Sequence, residues 1–72
     1  MTAEVRRGTL RAFDGGTYRA TVQLDGSLAV WLESVPVARN LPSAELVAGR
    51  SVAVLFWDAS NPGDAVVVAV WA

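Results

Sequence analysis

The stretch VARNLPSAELVAGR, residues 37–50, is the one break in a sequence otherwise written as strands and turns. Its centre, PSAEL, reads as a single short helical turn. Ser43 is placed to cap it, and Glu45 falls in the first turn, where the helix dipole favours an anion. Gly49 is placed to close it in the left-handed conformation. Where this turn falls among the strands matters more than its length.

Working outward, Val, Thr, Trp and Tyr alternate with turn residues, which is a strand signature. Strands are expected at residues 5–13, 17–24, 28–35, 51–57 and 65–71. DGG (residues 14–16) turns the first into the second. In SNPGD (residues 60–64), Pro62 and Gly63 occupy the central positions of an expected type II turn. Three strands therefore precede the helical turn and two follow it, which is the chain order of an OB-type barrel. The alternative is an SH3-like barrel, whose short 3₁₀ turn falls between the last two strands, where this chain has only SNPGD. The expected fold is all-β: a five-stranded antiparallel small barrel, OB-like, forming one domain over residues 1–72. Closure also fits the lack of polar edge devices, because a closed barrel has no edges.

The hairpin QLDGSLAV (residues 23–30) fixes which face is inside. Asp-Gly between alternating runs is a strong hairpin signal. A two-residue Asp25-Gly26 turn would pair Leu24 with Ser27 and Ala20 with Trp31, setting each strand's apolar face against the other's mixed face. A three-residue loop of Leu24, Asp25 and Gly26, with Gly26 in the left-handed position, repairs the parity. Val22 then faces Leu28, Ala20 faces Val30 and Tyr18 faces Leu32, while Arg19 meets Trp31 on the reverse. The same parity follows from a loop of Asp25, Gly26 and Ser27. The expected core is Leu10, Ala20, Val22, Leu28, Val30, Val52, Val54, Phe56, Val66, Val68 and Val70.

This parity leaves Trp31, Trp57 and Trp71 outside, with Leu55 and Val67 between the last two. An apolar outer surface of that size marks a contact on a soluble chain. Three uses compete for it: cover by the chain's own termini or helical turn, self-association, and a stacking platform for single-stranded nucleic acid. Size favours self-association. At 72 residues folding buries only about 60% of the unfolded chain's surface, so small domains need disulfides, a metal or a partner subunit. The chain has no Cys and no His, yet is 53% hydrophobic. The expected interface is therefore Trp57, Trp71, Leu55, Val67 and Trp31, in a homo-oligomer expected to be a trimer.

Charge points away from nucleic acid. Six Arg and seven Asp or Glu give a net charge of −1, with no basic stripe to follow phosphates. The N-terminal MTAEVRRGTL lacks the apolar core of a signal peptide, and AVVVAVWA (residues 65–72) is far short of the roughly 20 residues that span a bilayer. The expectation is a soluble protein made in the cytoplasm.

Catalysis finds few candidates. Without His, Cys or Lys, the usual bases and nucleophiles are missing. Asp14 and Asp25 have turn roles, and Ser43 has no base to activate it. DASNPGD (residues 58–64) clusters oxygen ligands at Asp58, Ser60, Asn61 and Asp64, but Pro62 interrupts the spacing of a Ca²⁺ loop and no bidentate Glu follows. No catalytic residue, cofactor or metal is expected.

The run GTLRAF (8–13), VQLDG (22–26), AGRSVAVLF (48–56) and the acidic Asn-Pro turn at 58–64 before an apolar last strand resembles the OB-type domain of phage baseplate-hub and tail-spike proteins. Type VI secretion spike proteins share that domain. The resemblance covers nearly the whole chain. It implies a trimeric module above a β-helical needle, no catalytic residue, and partners among tail-like proteins in a virion or tail particle. The needle is expected to be absent, because the chain stops at Ala72.

Overall fold

The computed structural model describes residues 3–25, 31–58, 60–61 and 63–71. Five strands and one 3₁₀ turn follow in order: β1 (Glu4–Asp14), β2 (Arg19–Leu24), β3 (Trp31–Pro36), the turn Ser43–Glu45, β4 (Ser51–Phe56) and β5 (Ala65–Trp71). All strand pairs in the sheet are antiparallel, and the sheet order is β3-β2-β1-β4-β5. The long β1 serves both halves: residues near its start pair with β4, and residues from Gly8 onward pair with β2. The edges approach through a parallel bridge between Val37 and Val67, where the Ala38 N–H donates to the Val67 carbonyl at 2.9 Å. With the 3₁₀ turn between β3 and β4, this is the OB-like arrangement.

Gly8 marks where β1 crosses closest to β2. A Cβ there would lie 2.7 Å from Val22 Cγ1 and 2.8 Å from the Gln23 carbonyl oxygen. Only a residue without a side chain lets the two backbones meet at this point.

The core is Leu10, Ala20, Val22, Leu24, Val35, Val37, Leu46, Val52, Val54, Phe56, Ala65 and Val67. Leu10, Ala20, Val22, Val52, Val54 and Phe56 are where alternation places them. Leu24 continues the β2 alternation and Leu46 enters from the end of the 3₁₀ turn, while three β-bulges re-phase the other strands, because one extra residue reverses the parity of everything beyond it.

The bulge in β5 has the largest consequence. Ala53 pairs with Ala69, but Val54 pairs with Val67, so Val68 is the extra residue. Val67 is fully buried and Val68 is 37% exposed. The expected inner row of Val66, Val68 and Val70 is corrected accordingly. Val70, opposite Val52 before the bulge, stays partly buried against the core; beyond it Val67 and Ala65 point inward and Val66 outward.

The second bulge re-phases β3. Val22 pairs with Leu32 and Gln23 with Trp31, while Ala20 pairs with Val35. The expected partners Val22–Leu28 and Tyr18–Leu32 are therefore corrected, and so is Ala20–Val30. Val22 and Leu32 do share the inward face, as expected of them individually. Ser34, at φ 55, takes up the extra residue and lets Val35 and Val37 turn inward. The third bulge lies between Leu10 and Ala12 of β1, leaving Arg11 unopposed. Gly26, Leu28 and Val30 lie outside the described residues, as does the expected Gly26 turn.

The β1–β2 turn is longer than DGG. It runs through Tyr18, whose N–H donates to the Asp14 carbonyl at 2.8 Å and whose φ is 56. The Asp14 side chain accepts from the Gly16 N–H at 2.9 Å. Tyr18 therefore precedes β2 and ties two segments together. Its hydroxyl donates to the Leu41 carbonyl at 2.6 Å, its carbonyl accepts from the Val37 N–H, and its ring meets Phe13 edge-on at 5.0 Å.

The 3₁₀ turn begins at Pro42, which makes no side-chain capping bond, so the expected Ser43 cap is corrected to Pro42. Glu45 lies in the first turn and pairs with Arg50 at 2.7 Å. Gly49 is left-handed at φ 98. It does not close the helical turn, which ends at Leu46; instead it leads the chain into β4, its N–H donating to the Leu10 carbonyl at 2.8 Å.

Candidate interaction surface

The outer face of β4 and β5 presents four successive rows. Trp71 lies opposite Ser51, Ala69 opposite Ala53, and Val66 opposite Leu55. Trp57 comes last, just beyond the end of β4, with its N–H donating to the Asp64 carbonyl at 3.0 Å. On the other flank β1 adds Val5 beside Leu55, Arg7 beside Ala53 and Thr9 beside Ser51. The result is an apolar strip with a tryptophan at each end and an alanine pair between. Trp57 is 55% exposed, Trp71 43% and Val5 61%. Arg7 bounds the strip, held at 2.8 Å by Asp25.

Of the expected interface residues, the structure brings Trp57, Leu55 and Trp71 together on this strip. Val67 does not belong to it: the β5 bulge turns its side chain fully into the core. Its place on the outer face is taken by Val66. Val5 was missed by sequence reasoning, because it lies at the strand's first turn outward and shows its neighbours only once β1 is known to pair with β4.

Trp31 stands apart, on β3, and is 51% exposed. It lies opposite Gln23. The Arg11 guanidinium sits 5.4 Å from its ring centroid and bonds the Gln23 side-chain oxygen, one contact at 2.9 Å through Nε. The cation covering Trp31 is thus Arg11, not the expected Arg19, which donates instead to the Ser34 carbonyl at 2.9 Å. The β1 bulge is the cause, since it frees Arg11 from a partner across the strand. Arg11, Gln23 and Trp31 therefore form a polar cluster around one aromatic ring.

Two shallow clefts flank β3. One of about 230 Å³ is lined by Trp31–Pro36, Gly63 and Ala65. The other, about 360 Å³, runs beside Phe13, Thr17, Arg19 and Ser34. Among the described residues no group of three or more His, Cys, Asp or Glu side chains could hold a metal ion. The oxygen-rich loop after β4 is occupied by its own bonds: Asp58 accepts from the Ser60 N–H and hydroxyl at 3.1 and 2.8 Å, and the Asn61 side chain accepts from the Gly63 N–H. The Asp64 N–H donates to the Asn61 carbonyl at 3.1 Å, bracketing the expected Pro62-Gly63 turn. Pro62 itself lies outside the described residues. Among the described residues no helix is long and apolar enough to cross a membrane.

Comparison of the chain with protein-family models, with curated proteins and with solved structures finds no match.

Proposed function

We propose that this chain is a non-enzymatic structural module that self-associates through its outer tryptophan-bearing surface. The observation that carries the reading is the strip on β4 and β5, where Trp57, Leu55, Val66, Ala53, Ala69 and Trp71 follow one another without a charged side chain. Tryptophan is enriched in the cores of protein interfaces, whose charged residues are pushed to the rim. Arg7 and its partner Asp25 sit at such a rim. A domain of this size also gains most from a partner surface, since its own core is small. The resemblance to phage baseplate-hub and tail-spike modules supports the same role, with tail-like proteins as further partners.

Multi-angle light scattering on the purified chain tests this reading. The expected result is a mass above that of one chain at tens of micromolar, falling toward one chain when Trp71 is replaced by Glu. A single-chain mass for the wild type overturns it.

The second reading, a single-stranded nucleic-acid-binding OB domain, is favoured by one observation: Arg11 over Trp31 beside Gln23. Such a pair stacks bases without sequence preference. Quenching of tryptophan fluorescence by an oligonucleotide, weakening steeply with salt, would establish it.

A further inference from the structure

We infer that the partner on the β4–β5 strip is a second copy of this chain, docked face to face about a two-fold axis, with Trp57 of each copy over Trp71 of the other. The inference rests on the self-association proposed above and goes on to its symmetry.

A two-fold contact requires a patch that complements itself when turned end for end. The strip has that form. Its two large rings lie at opposite ends, Trp71 in the row of Ser51 and Trp57 past the row of Leu55. Six residues separate those rows along β4, about 20 Å at a strand's rise per residue. Between them lie the Ala53–Ala69 and Leu55–Val66 rows, and reversal sets the small row of each copy against the large row of the other while the rings meet at the ends. Reversing one strip on the other brings each Trp57 to a Trp71. Aromatic rings so paired gain from offset or edge-to-face contact in addition to the area buried.

A closed ring of three copies needs two different complementary patches on each chain. The candidate for the second patch is Trp31. Its ring is already covered by Arg11 and bordered by Gln23, a polar setting that does not match an apolar strip. The two-fold pairing is the better fit.

The area agrees with a modest dimer. With roughly 250 Å² for a whole Trp side chain, exposures of 55% and 43% leave about 250 Å² on the two rings. Val5 and the half-buried Leu55, Val66, Ala53 and Ala69 enlarge this to roughly 400–500 Å², against about 800 Å² per partner for a standard interface. The rim of Arg7, Thr9 and Ser51 adds to that area. The contact falls at the small end of specific interfaces, among the weak and transient complexes.

The test is a charge exchange between chains. One variant carries Trp57→Lys and the other Trp71→Glu. Alone, Trp71→Glu sets a carboxylate against an aromatic face twice per dimer and is expected to run as a monomer, whereas Trp57→Lys replaces each ring pair by a smaller ammonium–ring contact and is expected to weaken the dimer without abolishing it. Mixed in equal amounts, they regain one ion pair and one Trp–Trp contact, and native mass spectrometry is expected to show a heterodimer of one chain each. Circular dichroism of each variant checks that it folds. Independently, Ala53→Cys, in a chain otherwise free of cysteine, is expected to give a covalent dimer with a short bis-maleimide, whereas Thr17→Cys in the β1–β2 turn is not. A wild-type dimer whose variants form no heterodimer on mixing, with no cross-link at position 53, overturns the two-fold pairing. A wild-type trimer that dissociates on Trp31→Ala overturns it too, while leaving self-association standing. A wild-type monomer at tens of micromolar removes both.

Discussion

Val54 lies opposite Val67, with Val68 bulged out between the pairs Ala53–Ala69 and Val54–Val67. That relationship assigns opposite roles to two adjacent valines. Val67 closes the barrel, both through its fully buried side chain and through the bridge to Val37. Val68 faces solvent. Val67→Ala is expected to destabilise the fold by about 1–3 kcal/mol, a little under the range for Leu and Ile truncations. Val68→Ala is expected to stay within about 0.5 kcal/mol, as surface changes do. Chemical denaturation of the two variants checks the bulge directly; equal losses would place both valines on one face.

Gly8 makes a second expectation about the barrel. A methyl group there meets Val22 Cγ1 at 2.7 Å and the Gln23 carbonyl oxygen at 2.8 Å. The side chain could turn aside, but the carbonyl belongs to β2's backbone and cannot move without loosening the β1–β2 ladder. Gly8→Ala is expected to cost about 1–3 kcal/mol, the range for forcing extra carbon into a packed site. Gly15→Ala is a suitable control, since its added carbon meets nothing nearer than the Phe13 ring at 3.7 Å. Thermal melts of both variants measure the difference.

The places where sequence reasoning succeeded and failed have one physical cause. Alternation in SVAVLF, residues 51–56, reads cleanly because β4 contains no bulged residue of its own: Val52, Val54 and Phe56 are all core. In AVVVAVW, residues 65–71, all seven residues are apolar, so hydropathy carries no mark of where parity reverses. The bulge at Val68 is set by pairing with β4, a long-range fact. The reversal in β3 is similar. Leu32 and Val35 both point inward across Glu33 and Ser34, and a left-handed Ser34 absorbs the extra residue. Serine there announces nothing, since left-handed residues are usually Gly or Asn. Strand order, by contrast, was legible, because the position of PSAEL between the third and fourth strands is a property of chain order and not of face. For the surface, Trp57, Leu55 and Trp71 were legible from parity, while Val67 was lost to the bulge and Arg11's reach to Trp31 followed from another.

Tyr18 supplies a prediction about the strained turn. Its left-handed backbone is held by what the side chain reaches: the Leu41 carbonyl at 2.6 Å, the Phe13 ring, and the Arg39 guanidinium 5.3 Å above its own ring. Tyr18→Phe keeps the ring contacts and removes the hydroxyl donor. The expected cost is about 1 kcal/mol, that of one hydrogen bond. Tyr18→Ala removes ring and hydroxyl together while retaining a side chain unsuited to positive φ, and is expected to cost more. Amide exchange should then quicken at Val37, whose N–H donates to the Tyr18 carbonyl. If Tyr18→Ala matched Tyr18→Phe, the ring contacts would carry no weight.

Melting temperature should depend on protein concentration. A partner that binds the folded chain and not the unfolded one stabilises by mass action, so dilution below the dissociation constant lowers the melting point. The two exposed tryptophans set the scale: about 250 Å² removed from water at roughly 25 cal/mol per Å² corresponds to about 6 kcal/mol per chain. Ordering costs on association offset part of it. Raising the concentration from one to one hundred micromolar is therefore expected to raise the melting point measurably for the wild type. Trp57→Ala should flatten that dependence and Trp31→Ala should preserve it, because Trp31 lies on β3 beside Gln23 and under Arg11, away from the strip. A wild-type melt that ignores concentration would show that Trp57 and Trp71 contribute nothing through a second copy. Equal flattening by Trp31→Ala would instead extend the contact surface onto β3.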